Sequence, residues 1–276
     1  MRHFLLALAF GCAVFSTTAQ LKTPAPSSTQ TIKQDFGLSS IELSYSRPGK
    51  KGRKIMGDIV PFGKVWRTGA NNATTLTFGD DVTIGGTKVP AGKYGLLSIP
   101  DKDNWVLIIT RQLNVTSPAA YKPESDVVRV TVPAIPLKYD IESFTMQFAN
   151  VTASSCDLQL MWENTIVIVP ITTEIDSKIM TQIKNQVEGD PRPYFAAAMY
   201  YMDNGKELNK ALEWFNKSLD QNPGAFFILY QKAVCLGKLG RKDEAIKTAN
   251  EGIDAATKAK NDDYVALNKK LLATLK

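Results

Sequence analysis

The chain has 276 residues, 44% of them hydrophobic and 22% charged, and a formal net charge of +6. This is the make-up of a folded protein long enough for two domains with their own cores, and it excludes a chain too polar to fold. No apolar run reaches the about 18 residues a membrane-spanning helix needs. At the N-terminus, Met1, Arg2 and His3 give a positive start, Phe4 to Phe15 is a short apolar stretch, and Thr17, Thr18 and Ala19 are small residues before Gln20. The pattern predicts a signal peptide over residues 1–19, cleaved after Ala19, and an exported protein, periplasmic or secreted. Cys12 lies mid-stretch behind bulky Phe10, a place for a small hydrophobe and not for a lipid anchor. Cleavage removes the single histidine, His3. With it go Ser-His-Asp and Cys-His nucleophiles, His-ligated zinc and His-ligated haem.

Residues 20–30 lack apolar periodicity and are predicted as a flexible leader. From residue 31 to 174 short alternating runs are separated by Gly, Pro, Asn and Asp. Ile41, Leu43 and Tyr45 alternate with Ser40, Glu42, Ser44 and Ser46, which sets the large side chains on one face of a strand. Similar runs occupy 74–78, 94–99, 105–110, 127–132, 144–148, 158–162 and 166–171, and Gly85-Gly86 marks a two-residue hairpin turn. No helical pattern separates the strands, so parallel units are disfavoured. The expectation is an antiparallel β-sandwich of nine to eleven strands over 31–174.

The period then changes. Ile175, Ile179, Ile183 and Val187 recur every four residues, with Asp176 placed as an N-cap and Gly189 as the stop, which predicts a connecting helix over 175–189. Of 14 prolines, 13 lie at or before Pro193, and from about 190 to 276 the chain reads as helical. Ala211 and Ala245 stand 34 residues apart and close matching phrases after Gly205 and Gly240. Tyr194, Ala198, Tyr201, Phe215 and Pro223 fill positions of a first copy, and Leu229, Ala233 and Leu236 those of a second, which departs from the pattern at Ala249. These phrases resemble tetratricopeptide repeats, in which small residues let paired helices approach and large ones fill the groove. A last helix carrying Tyr264, Leu267, Leu271 and Leu275 is expected to cap them. Cys156 in a strand and Cys235 in a helix are expected as buried free thiols, with no disulfide.

The unusual chemistry lies between two strands. Residues 20–174 hold 16 Lys and Arg against 14 Asp and Glu, and seven of those 16 fall within 47–67: Arg47, Lys50, Lys51, Arg53, Lys54, Lys64 and Arg67, opposed only by Asp58. Long Gly-rich loops in compact domains are usually functional or disordered. Arginine forks and lysine ammonium groups bind carboxylate, sulfate or phosphate, and Trp66 beside Arg67, with Asn71 and Asn72 following, can stack on and hydrogen-bond a planar polar ligand or sugar. Arg53, Trp66, Arg67, Asn71 and Thr74 are therefore the candidate ligand-binding cluster. The competing expectation is structural: Trp66 packs the core, Arg67 pairs with a strand carboxylate, and the asparagines make turn bonds.

The phrase from Tyr45 through Thr74, with its Trp66-Arg67-Thr68-Gly69-Ala70-Asn71 core, followed by Val82 to Gly86 and Pro90 to Tyr94, resembles the bacterial family known as domain of unknown function 2911. The resemblance covers about residues 31–174. It implies export from bacteria of the Bacteroidetes type and, in some members, helical repeats appended at the C-terminus; it implies no established activity.

Other chemistry finds little support in the residues. One tryptophan in a basic loop lacks the repeated aromatics of a nucleic-acid platform. Asp80-Asp81 and the Asp101, Asp103 pair read as turns, no calcium loop, nucleophile elbow, phosphate loop or dinucleotide fingerprint occurs, and no cofactor is implied. Asp35, Asp58 and Asp126 are the carboxylates left to meet in space. The favoured expectation is a non-catalytic envelope protein, a sandwich binding an anionic or carbohydrate-like ligand or a partner, joined to helical repeats for protein contacts. The alternatives are a carboxylate-dependent hydrolase of envelope polysaccharide, with two acidic groups across a cleft near Trp66 and Arg67, and a purely structural scaffold.

Overall fold

A computed structural model describes residues 23–187 and 193–275. The signal peptide expected at 1–19, with His3 and Cys12, lies outside the described residues, as does the stretch carrying Gly189 and Pro191. The chain divides into two compact units at Glu174 and Ile175.

Among its described residues the first unit holds ten strands. β1 (Thr29–Phe36), β2 (Ser39–Ser46), β3 (Thr75–Phe78), β6 (Gly92–Ile99), β7 (Asn104–Thr110) and β8 (Asp126–Pro133) form one sheet in the order β1-β2-β3-β6-β7-β8. β4 (Val82–Ile84), β5 (Thr87–Val89), β9 (Ile135–Ala149) and β10 (Ser155–Thr172) form a second, ordered β5-β4-β10-β9. Every strand pairing is antiparallel. The alternation in β2 has the effect its pattern requires: Ile41, Leu43 and Tyr45 are buried and Glu42 is exposed. One continuous core draws on both sheets, joining Leu43, Leu76, Leu96 and Leu107 of the first to Phe144, Leu160, Trp162 and Val169 of the second. Each such side chain withdrawn from water contributes about 1.5–3 kcal/mol. Gly85 and Gly86 both adopt positive φ, 55° and 79°, and set Ile84 opposite Thr87, the left-handed geometry that suits a two-residue hairpin to twisted strands.

Three strands differ most from their expected extents. β9, expected at 144–148, begins at Ile135. β1 begins at Thr29, inside the stretch expected to be a loose leader, because Thr29 and Gln30 pair with Ser46 and Tyr45 and the Tyr45 hydroxyl donates to Gln30 Oε1 at 3.0 Å. Strand pairing supplies the order that local apolar pattern lacks. The runs at 158–162 and 166–171 are one strand, β10. Register shifts on either side of Glu163, whose φ is 54°, interrupt the alternation without ending the strand, as a bulge does.

The second unit contains α1 (Asp176–Val187), α2 (Tyr194–Asp203), α3 (Leu208–Gln221), α4 (Phe226–Lys238), α5 (Lys242–Lys258) and α6 (Asp262–Leu275). Ala198, Ala211 and Ala245 are fully buried in it beside Phe215, Ile228 and Leu236, and Ala233 is fully buried too, so small residues sit where helices meet. Gly205 and Gly240, at φ 63° and 74°, end α2 and α4 in the left-handed conformation that closes helices. Asp176 does not cap α1 from outside. It is the first helical residue, and its carboxylate accepts from the Tyr200 hydroxyl at 2.6 Å and pairs with Lys206 Nζ at 2.6 Å. Cys156 and Cys235 are buried free thiols. No helix among the described residues is long and apolar enough to cross a membrane.

Candidate functional site

The 28 residues between β2 and β3 are stitched down along their length. At the start, Phe144 N–H donates to the Pro48 carbonyl at 2.9 Å and Lys50 N–H to the Glu142 carbonyl at 2.7 Å. Arg47 Nε donates to the Phe144 carbonyl and its Nη2 to Thr145 Oγ1 at 2.8 Å. Next comes a tight turn in which Val60 N–H returns to the Ile55 carbonyl at 3.0 Å, with Ile55 and Val60 buried. The Glu163 carboxylate, delivered by the bulge in β10, accepts from the N–H groups of Ile55 at 3.3 Å and Met56 at 3.0 Å. Finally Trp66 and Ser98 exchange both backbone bonds, at 2.7 and 3.0 Å.

Past Trp66 the chain reverses through three residues of positive φ: Thr68 at 55°, Gly69 at 149° and Asn71 at 55°. A β-branched residue in this region is strained by steric contact with its own backbone. Thr68 is held there by burial, by its Oγ1 bond to Ser98 Oγ at 2.9 Å, and by its carbonyl, which accepts Thr74 Oγ1 at 2.7 Å. Gly69 is required for a second reason. A Cβ there would stand 3.0 Å from Thr74 Oγ1 and 3.1 Å from the Ser46 carbonyl oxygen.

Against this wall lies a cleft of about 570 Å³, within the range that takes a small molecule. Ile59, Pro61, Val65, Trp66 and Trp162 supply its apolar surface, Pro118 closes one side, and Arg53, Lys64 and Arg67 bring three cations. Trp66 is half-buried and stacks on Trp162, with ring centroids 5.8 Å apart and planes 17° from parallel; it meets Phe144 at 4.9 Å and Trp105 at 6.2 Å edge to face. Trp162 is fixed in turn by its Nε1–H bond to the Glu142 carbonyl at 3.2 Å.

The candidate cluster therefore separates into two groups. Arg53, Trp66 and Arg67 share the cleft. Thr74 does not line it: its side chain is buried on the Thr68 carbonyl. Nor does Asn71, whose Nδ2 donates to the Ser27 carbonyl at 2.9 Å and whose own carbonyl receives Arg67 Nη1 at 3.1 Å. Both hold the turn that presents Trp66 and Arg67.

The basic run separates in the same way. Arg47 is bound to β9, and Lys50 is bound to Asp140 at 2.8 Å, a contact that holds its ammonium above its ordinary pKa. Arg53 gives Nε and Nη2 bonds to the Lys50 and Gly49 carbonyls, and Arg67 gives one to Asn71. These carbonyls satisfy individual donors without neutralising charge. A guanidinium has five N–H donors, so three remain on Arg53 and four on Arg67. Among the described residues no carboxylate pairs with Arg53, Lys64 or Arg67.

No Asp or Glu lines the cleft among the described residues, so the acidic pair of the hydrolase reading is not at Trp66 and Arg67. Asp35 and Asp126 lie on β1 and β8, opposite edges of the larger sheet, and Asp58 is exposed on the 55–60 turn. Asp126 instead serves the neighbouring loop. Its Oδ2 accepts from the hydroxyl of Tyr121, three residues along from Pro118, at 2.5 Å and from Arg129 Nε at 2.7 Å. Burial first, and then the bond to Asp126, push the Tyr121 hydroxyl up to about 12.

Sequence reasoning did not place Lys64, Trp162, Pro118 or Glu163 in the candidate cluster. Lys64 stood in the basic run and could have been chosen by its nearness to Trp66. Trp162 and Glu163 are about 96 residues away and reach the loop only through the pairing of the second sheet.

A family model described as "Protein of unknown function (DUF2911)" matches residues 27–171. No curated protein and no solved structure compared with the chain matches it.

Proposed function

Since this chain belongs to the DUF2911 family, whose description assigns no activity, we propose its role from its residues: the β unit is a non-catalytic binding unit whose cleft at Trp66 holds a small anionic ligand. The observation that carries this reading is the convergence of Arg53, Lys64 and Arg67 on a cleft without acidic lining. Arg53 and Lys64 are exposed and Arg67 is half-buried, so their remaining donors are open to an anion seated on the apolar surface, which they would hold by charge-assisted bonds. In the same reading the two sheets are the layers of a sandwich that supports the cleft from behind, and the protein works outside the cytoplasm.

The test is thermal unfolding of the wild type and Arg67→Ala in sulfate, glucose 6-phosphate and neutral glucose at matched ionic strength. A ligand that binds only the native state raises the unfolding temperature. The anions are expected to stabilise the wild type and to lose most of that effect in Arg67→Ala; equal shifts in both proteins count against the site.

For the helical unit the proposal is a pair of tetratricopeptide-like hairpins that contact another protein. Its support is the 34-residue spacing of the buried Ala211 and Ala245 and the matching glycine turns at Gly205 and Gly240. Removing residues 190–276 and comparing partner recovery from envelope extract tests it, and unchanged recovery removes the repeats from the account.

A further inference from the structure

The lining of the cleft says more about an anion's body than its charge does. Among the described residues that line it, the neutral hydrogen-bonding side chains are Ser27 and the indole N–H donors of Trp66 and Trp162, the latter already given to the Glu142 carbonyl; there is no Asn, Gln, Asp or Glu. A sugar carries a hydroxyl on nearly every carbon, and each hydroxyl buried without a partner costs about 1–3 kcal/mol. Such a body is mismatched to walls made by Ile59, Pro61, Val65 and Trp66. These walls are also stiff. Proline fixes its own φ, the 55–60 turn is tied to Glu163, and Trp66 is held edge-on by Phe144 and Trp105 and face-on by Trp162. A preformed flat wall favours a rigid planar ring, which stacks on indole and loses little internal freedom on binding. Arginine serves both parts of such a ligand, since a guanidinium bonds an anionic head and stacks on an aromatic face.

Resting on the reading of the cleft as an anion site, we propose that its ligand is a planar aromatic anion: a ring system seated on Trp66 and Ile59, with one carboxylate, sulfate or phosphate head at Arg53, Lys64 and Arg67. Sulfate and phosphate heads share this chemistry with carboxylate, and the ring is what separates the class from sugar phosphates and from acyl chains.

The experiment is calorimetric or tryptophan-fluorescence titration of the full chain with naphthalene-2-carboxylate, naphthalene-2-methanol, acetate, decanoate and glucose 6-phosphate. The naphthalene carboxylate is expected to bind about tenfold or more tightly than the alcohol, acetate or glucose 6-phosphate, the loss expected on removing a charge-assisted bond or a stacked ring. Decanoate is expected to bind no more tightly than the ring acid. Arg67→Ala removes the preference for the acid over the alcohol. Trp66→Leu removes the preference for the ring. Trp66 also packs the core, so Ile59→Asp provides a variant at a side chain 48% exposed, where the unfolding midpoint is expected to stay near that of the wild type and a new carboxylate repels the head. Acetate or glucose 6-phosphate binding as tightly as the ring acid, with loss in Arg67→Ala, overturns the aromatic body and leaves the anion site standing; tighter binding of decanoate likewise overturns the planar body. Failure of every anion to bind overturns both readings, as does ring-acid binding unchanged in Arg67→Ala and Ile59→Asp.

Discussion

Among the described residues, a tryptophan-lined cleft in each unit brings cations beside an aromatic ring, and the two differ in how those cations are held. In the helical unit a cleft of about 330 Å³ is lined by Met180, Ile183, Lys184, Tyr201, Lys210 and Trp214. There Lys210 lies 5.5 Å from the Trp214 ring and is paired with Glu213 at 3.0 Å, and the same carboxylate holds Lys217 at 2.7 Å. The α-helix places a carboxylate three or four residues from a lysine on one face, so the charge of Lys210 is answered locally. At Trp66 the chain is an irregular loop, and Arg53 and Arg67 are anchored by backbone carbonyls instead. A carbonyl satisfies a donor and leaves the charge. The lesson is that an aromatic ring beside a cation supports an anion-site reading better where that cation has no carboxylate of its own.

Four substitutions break or sharpen this contrast. The largest effect is expected from Phe144→Ala, which removes a fully buried ring touching Tyr45, Trp66 and Trp162. It should cost about 3–5 kcal/mol in urea unfolding and abolish binding at Trp66, whereas the Trp214 cleft, built in the other unit, should keep its near-ultraviolet signal.

Glu163→Ala should follow, at about 1–3 kcal/mol, because the Ile55 and Met56 N–H groups lose their acceptor. Faster hydrogen exchange at those two amides is the direct measurement, and unchanged exchange would show that the carboxylate does not hold the turn.

Third is the Tyr121 hydroxyl beside the cleft. Its folded-state pKa of about 12 lies above the ordinary 10.0, through burial and the bond to Asp126. The stability this contributes is fully present below pH 10 and is lost as pH rises from 10 towards 12. Absorbance titration at 295 nm should show late-ionising tyrosines, since burial also raises Tyr45, and Tyr121→Phe should remove one of them.

The smallest effect is expected from Glu213→Gln. The carboxylate is held below its ordinary range by Lys217 first and Lys210 second, so its contribution is present at neutral pH and lost on acidification. Exposed pairs of this kind contribute little, and the unfolding midpoint should stay within error of the wild type. The change should nevertheless free Lys210 and raise the Trp214 cleft's affinity for naphthalene-2-carboxylate by a small, salt-sensitive amount.

Much of the fold was legible where local pattern and tertiary environment agree. Ile41, Leu43 and Tyr45 announced a half-buried strand, Gly85-Gly86 a hairpin, and Ala211 with Ala245 a helix contact, because side-chain period and backbone freedom are properties of short segments. Agreement failed at β1, where Thr29 and Gln30 are ordered only by their partners in β2, and at Glu163, where a bulge breaks the alternation of a continuous strand. Asp176 shows the same limit at a helix start: an acidic residue there reads as a cap, but Tyr200 and Lys206 take its carboxylate.

The candidate cluster shows where the boundary falls. Composition and spacing by themselves determined the two-part make-up of the chain, the concentration of positive charge between β2 and β3, and the place of Trp66 and Arg67 within it. Only the tertiary structure decided which of those residues share a cleft. Asn71 and Thr74 turn inward to bind carbonyls, Arg47 and Lys50 are taken by β9 and Asp140, and Trp162 and Glu163 arrive from a strand about 96 residues away. The reason is physical. Charge and periodicity are carried by neighbouring residues, whereas a cleft is the space left between elements that meet only when two sheets close on one core.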